Sequence, residues 1–325
     1  MALSPSCSPR TTGRRVSDRR RAFLPYLALV ALALIWGVSF LFIKVAVHDM
    51  SPAVLVLIRS ASGGVALALI VRAMGRPLFA EGWRSRILPF AILAFTGAIL
   101  PWVAIAWGEE RISSGLASIL NSTTPLWAAV LIYWVIPSER PSPLNYAGVV
   151  IGLAGVVILV APDFSATGIG RNLAGALAVV LASLSYAVAA LYQRRKLRGV
   201  SVYEVSLGQL AASAVLAIPI AAPSLPGVHV ALPSMAAVVA LGVGGSGVAY
   251  LLYYYMLNTL GPVRATGVTL LVPVTAVFWG VVLLHESLSL PIVVGMAVIL
   301  AGIVLTNAGR RSARPERSEP ERAAA

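Results

Sequence analysis

The sequence predicts an all-α membrane protein of ten transmembrane helices, arranged as two inverted five-helix repeats. Three observations carry that prediction. The 325 residues are 58% hydrophobic and only 11% charged, with a mean hydropathy of +0.87, whereas soluble domains carry about 25% charge. Charge-free stretches of roughly 20 residues recur, the length that crosses about 30 Å of hydrocarbon. Landmarks of the first half return in the second: Pro125, Glu139, Gly148 and Gly155 reappear as Pro273, Glu286, Gly295 and Gly302. An internal repeat in an apolar chain marks a transporter architecture.

The spans follow in order. Repeat 1, residues 24–161, holds Leu24–Val47, Pro52–Val71, Ile87–Gly108, Ser114–Ile136 and Pro143–Ala161. Repeat 2, residues 172–308, holds Asn172–Tyr192, Tyr203–Ala222, Ser234–Leu257, Ala265–Leu284 and Leu290–Thr306. Between Glu204 and Arg264 the chain carries no full charge, so that stretch is divided into two spans by its proline-rich middle, 219–233. Leu24–Val47 is too long for the core of a signal peptide. Residues 1–23 and 309–325 form polar tails rich in Arg, Ser, Pro and Glu, a composition that favours disorder.

Basic residues set the orientation. Twenty-one of the 25 lie in the two tails and in the loops after even-numbered spans, so both termini are expected on the cytoplasmic side of a bacterial inner membrane. Five spans per repeat then turn the second copy upside down, with Glu139 inside and Glu286 outside. The net charge of +13 belongs to this topology and to lipid headgroups, not to nucleic acid. Cys7 stands alone, so no internal disulfide forms. No metal-ligand spacing, nucleotide-binding motif or nucleophile–base pair occurs, and neither cofactor nor enzymatic activity is expected. The expected partners are a small-molecule substrate and the lipid bilayer. Gly148-x-x-x-Gly152 is compatible with packing inside the bundle or with a homodimer.

An ordered set of residues carries a family resemblance: Trp36-Gly37-Val38-Ser39-Phe40 with Lys44 in span 1, Arg59 early in span 2, Asn121 to Pro125 in span 4, the acids Glu139 and Glu286, and the glycines of spans 5 and 10. Over residues 24–308 this resembles the drug/metabolite transporter superfamily, and its EamA family in particular. The resemblance implies an exporter of metabolites or amino acids working by alternating access. It also implies a central cavity walled by spans 1, 3, 4, 6, 8 and 9, with spans 5 and 10 peripheral. It names no substrate.

Polar and aromatic residues inside the spans are the candidate substrate-binding set. Pro125 removes a backbone donor in span 4, and the freed carbonyl needs another partner in lipid. Asn121, Ser122, Thr123 and Thr124 stand beside it. Pro273 occupies the matching place in span 9, and matched helix breaks point to a midplane site. Arg59 is the one charge well inside a span. It either snorkels to the interface or faces the cavity and holds a carboxylate. Lys44 reads as an interfacial anchor. Trp36, Trp102, Trp107 and Tyr186 are candidate walls, with Trp36 and Tyr186 repeat mates. Tyr250, of the cluster Tyr250, Tyr253, Tyr254 and Tyr255, reads as an interfacial or vestibule residue. Gly242–Gly247 is expected to allow bending or close helix approach. Glu109 and Glu110 are expected in solvent, and no span core carries Asp or Glu. That absence favours export of polar metabolites, amino acids or their relatives, over multidrug export; a membrane enzyme or scaffold is the remaining alternative.

Overall fold

The computed structural model describes residues 13–135, 142–165, 171–226, 229–260 and 268–312. Glu139, Arg264 and most of both tails lie outside the described residues. Among those described there are helices and turns and no strand.

Among the described residues seven helices are long and apolar enough to cross a membrane: Leu24–Ala46, Pro52–Ala73, Trp83–Glu109, Ser114–Ile132, Asn172–Lys196, Val202–Ser224 and Leu232–Tyr253. Three shorter apolar helices, Pro143–Leu159, Val268–Leu284 and Leu290–Thr306, bring the number to the ten expected. The first helix begins earlier than its apolar stretch, at Gly13, so part of the basic tail expected to be disordered is helical. Intrahelical hydrogen bonding propagates once a long apolar helix has nucleated next to it.

Local chemistry sets the helix starts. Ser51 precedes span 2 and its hydroxyl accepts the Val54 N–H at 3.4 Å, with Pro52 at the first helical position, where its missing N–H costs nothing. Ser113 does the same for span 4, accepting from Leu116 at 3.2 Å. At the start of span 8, Ser234 donates to Asp49 at 2.6 Å and so ties that helix to the turn after span 1. That hydroxyl and the adjacent His48 hold the Asp49 carboxyl below its ordinary range.

Packing is tightest between spans 5 and 10. A Cβ on Gly302 would lie 2.6 Å from the Gly148 carbonyl oxygen, and one on Gly155 would lie 3.0 Å from that of Gly295. Only glycine permits this backbone-on-backbone approach, and the crossed pairing makes the two helices antiparallel. Large apolar side chains such as Leu69, Val150 and Phe278 point outward and exposed. Such a surface suits lipid, which asks only that backbone groups be paired internally.

Candidate functional site

A cavity of about 430 Å³ lies within the bundle. Span 4 places one wall. Its helix runs from Ser114 to Asn121, stops, and resumes at Thr124 as far as Val135. Pro125 has no N–H to offer the Asn121 carbonyl, and the Thr124 hydroxyl replaces it at 2.9 Å. Ser122 donates to the Ile119 carbonyl at 2.6 Å, and Thr123 bonds both the Leu120 carbonyl and Ser183 of span 6. The interruption thus keeps its backbone satisfied by its own hydroxyls. Asn121, Ser122, Thr124 and Pro125 all line the cavity.

Spans 3 and 8 shape the rest of the wall with widened turns. Span 3 is π-helical over Phe95–Ile99 and span 8 over Leu241–Val248. Such turns disturb the regular hydrogen-bond ladder and recur at functional sites. Side chains from neighbouring spans take several of the carbonyls there. Ser185 donates to Thr96 at 2.6 Å, Gln209 to Gly97 at 3.0 Å, and Trp36 to Gly245 at 3.2 Å. Gly97 and Gly245 are repeat mates in the sequence, and both line the cavity. The span 8 turn also packs closely on span 2, where a Cβ on Gly63 would meet the Gly242 carbonyl oxygen at 2.8 Å.

Arg59 is buried inside the bundle. Its guanidinium carbon stacks 3.8 Å from the centre of the Trp102 ring, and its Nε donates to Ser246 at 3.3 Å. Both Arg59 and Trp102 line the cavity. Stacking on an aromatic face offsets part of the cost of burying a cation. Trp36, Tyr186 and Tyr250 complete the eight side chains named from the sequence, and all eight line this one cavity. Tyr253 joins them, its ring 5.8 Å from that of Trp36. The side chain of Tyr254 lies outside the described residues.

Several expectations are corrected. Pro273 does not interrupt span 9, which is helical from Val268 to Leu284; Pro273 itself is absent from the cavity lining, although Val272 is on it. Thr275 two residues on donates to the Ala33 carbonyl of span 1 at 2.8 Å, so the helix is held by its neighbour. Glu109 is not in solvent but fully buried, and neither carboxylate oxygen has a hydrogen-bond partner among the described residues. The reason is tertiary: the last turn of span 3 lies against span 6, where a Cβ on Gly108 would meet Val179 at 2.8 Å. Lys44, read from the sequence as an interfacial anchor, is engaged by the main chain. Its ammonium donates to the main-chain carbonyls of Glu109 and Ile112, the latter at 2.9 Å. Glu204 is a second buried carboxylate, paired with Arg86 and accepting from the Ala80 N–H. Trp107 points outward, with the Arg111 guanidinium 3.5 Å above its ring.

Sequence reasoning missed Ser118, Gln193, Gln209 and Ser246 as cavity residues. For Gln209 a signal existed, since it follows Arg59 by 150 residues, the same offset that separates Tyr186 from Trp36, and so is its repeat mate. The lining reaches Gln193 and Val202 at one end of the bundle. At the other end spans 1, 3, 4 and 9 are tied by Lys44 and by Glu286, which accepts from Ser114 and Gly115.

Comparison with known proteins agrees on the class. The profile of the EamA-like transporter family matches residues 23–161 and again 173–308. The "Uncharacterized inner membrane transporter YedA" of Escherichia coli (strain K12) is 29% identical over 304 residues, covering 90% of this chain and 94% of that protein. The "Uncharacterized transporter YoaV" of Bacillus subtilis (strain 168) is 24% identical, covering 86% and 95%. A protein of Streptantibioticus cattleyicolor, named "Probable terminal-alkyne amino-acid exporter", is 28% identical, covering 91% and 97%. A chain of known crystal structure shares the fold at a TM-score of 0.63 and 23% identity, covering 89% of this chain and 98% of that one.

Proposed function

Because the chain belongs to the EamA-like transporter family, we propose that it exports small polar metabolites, amino acids or their relatives, across a bacterial inner membrane by alternating access. In this reading residues 24–161 and 172–308 are inverted five-span repeats, both termini are cytoplasmic, and the described conformation is open towards Gln193 and closed at the Glu286 end. The twofold family match and the paired π-helical turns around Gly97 and Gly245 support the repeat. The name of the Streptantibioticus relative supports the substrate class.

One observation carries the proposal. Arg59 lies in the cavity with its Nε tied to Ser246 and its plane fixed against Trp102. A planar fork held in this way can grip a carboxylate with two parallel hydrogen bonds. No Asp or Glu lines the cavity among the described residues to receive a lipophilic cation.

The test is export by Arg59→Lys and Arg59→Gln of an acid and of its amide, at matched expression. Lysine keeps the charge but loses the fork; glutamine, the residue of the repeat mate Gln209, loses the charge. Transport of the acid should fall strongly with lysine and further with glutamine, and transport of the amide much less. Small, equal losses for both compounds would remove the carboxylate from the proposed substrate.

A further inference from the structure

We propose that Ser118 and Asn121 form a subsite for a primary ammonium group, so that the cavity selects zwitterions carrying both an ammonium and a carboxylate. The inference rests on the Arg59 reading above for the carboxylate half. Its own basis is two unmet polar atoms. Ser118 Oγ and Asn121 Oδ1 are buried without a hydrogen-bond partner among the described residues, and both residues line the cavity. They lie three residues apart in the helix Ser114–Asn121, hence on one face of its last turn.

The surrounding polar groups of span 4 are already used. The hydroxyls of Ser122, Thr123 and Thr124 bond carbonyls of their own helix. Those hydroxyls have spent their protons, whereas the side-chain oxygens of Ser118 and Asn121 have no partner at all among the described residues. A carboxamide oxygen can only accept, and a serine oxygen accepts as readily as it donates. The partner missing at Asn121 Oδ1 is consequently a donor, and the Ser118 hydroxyl can accept beside it. Leaving buried acceptors unmet is costly, so a ligand that supplies N–H groups is favoured over one that does not.

Placement narrows the donor to an ammonium. Span 2, which carries Arg59, packs on spans 3, 7 and 8, whereas the first half of span 4 packs chiefly on spans 1, 6 and 9 and more lightly on spans 3 and 10, without touching span 2 closely. The fork and the two acceptors thus sit on different walls of one cavity. A cation alone would be repelled by Arg59. A zwitterion sets its carboxylate against Arg59 and its ammonium, with three donors, against Ser118 and Asn121. A hydroxyl offers a single uncharged donor, and charge-assisted bonds are about twice as strong.

The experiment uses the purified full chain and follows its unfolding temperature with each proteinogenic amino acid, the corresponding 2-hydroxy acid and the corresponding amide, titrated for apparent affinity. At least one amino acid should bind about tenfold or more tightly than both its 2-hydroxy acid and its amide. Asn121→Ala and Ser118→Ala remove groups that have no internal partner, so both variants should fold with unchanged stability. They should lose the preference over the hydroxy acid while keeping the preference over the amide; Arg59→Gln should do the reverse. No stabilisation by any amino acid, or equal binding of amino and hydroxy acids by the parent protein, overturns the ammonium subsite. An amide that binds as tightly as its acid overturns the Arg59 reading instead.

Discussion

Removing the carboxylate of Glu286 should loosen the end of the bundle where spans 4 and 9 meet. One oxygen accepts from the Ser114 N–H at 2.7 Å and the Ser114 hydroxyl at 2.9 Å; the other accepts from the Gly115 N–H at 3.1 Å. These amides open the helix Ser114–Asn121 and have no partner within it. The positive end of the helix dipole also favours an anion there. Hydrogen bonds to a charged group contribute about 1.5–3 kcal/mol each. Glu286 is only half-buried, so water replaces part of what is lost. Glu286→Ala should then cost about 2–3 kcal/mol, a shift of roughly 30- to 150-fold towards the open form. Glu286→Gln keeps an acceptor oxygen and should cost about 1 kcal/mol, roughly fivefold. The assay places a cysteine at Ile105, which lines the cavity next to that end, in a Cys7→Ser background. The rate of labelling by an impermeant thiol reagent, applied from the side of Glu286, reports the open fraction. Labelling should rise in the order parent, glutamine, alanine. Equal rates in all three proteins would refute the idea that these bonds hold the end shut.

Three further outcomes are expected. Thr124→Val strips the Asn121 carbonyl of its hydroxyl donor and should lower unfolding free energy by about 1–2 kcal/mol; adding Pro125→Ala supplies an N–H four residues on from Asn121 and should restore most of it, as read in detergent denaturation. Gly302→Ala would put a Cβ 2.5 Å from the Gly152 nitrogen and 2.6 Å from the Gly148 oxygen; backbone atoms cannot step aside, so the unfolding temperature should drop by an amount matching at least about 1–3 kcal/mol. In intact cells lacking Cys7, cysteine at Ser287 should react with an impermeant reagent and cysteine at the exposed Arg198 should not; the opposite pattern would invert the topology.

Much of the site was legible because its signals are local or periodic. The helix break in span 4 follows from one missing N–H at Pro125, and the hydroxyls that repair it are its immediate neighbours. Trp36 and Tyr186 stood out as repeat mates. Pro273 shows the limit of such reasoning. The same residue at the matching place leaves span 9 helical, in a segment held by the bond from Thr275 to span 1. No local rule announces that bond.

Chain composition alone required the apolar helices, and their number followed from where charges interrupt them and, between Glu204 and Arg264, from the proline-rich stretch 219–233. It also marked Arg59 as the one charge to be accounted for. Two readings of that residue stayed open in the sequence, since a guanidinium can snorkel or turn inward with the same neighbours along the chain. Its stacking on Trp102 and its bond to Ser246 come from spans 3 and 8. The burial of Glu109 was misjudged for the same reason. Hydropathy sees a carboxylate at a helix end and assigns it to water, but span 6 and Lys44 close around that turn. Local pattern governs which segments enter the membrane because each helix must satisfy its own backbone there. Which side chains meet, and which polar atoms are left without a partner, depends on how the helices pack against one another.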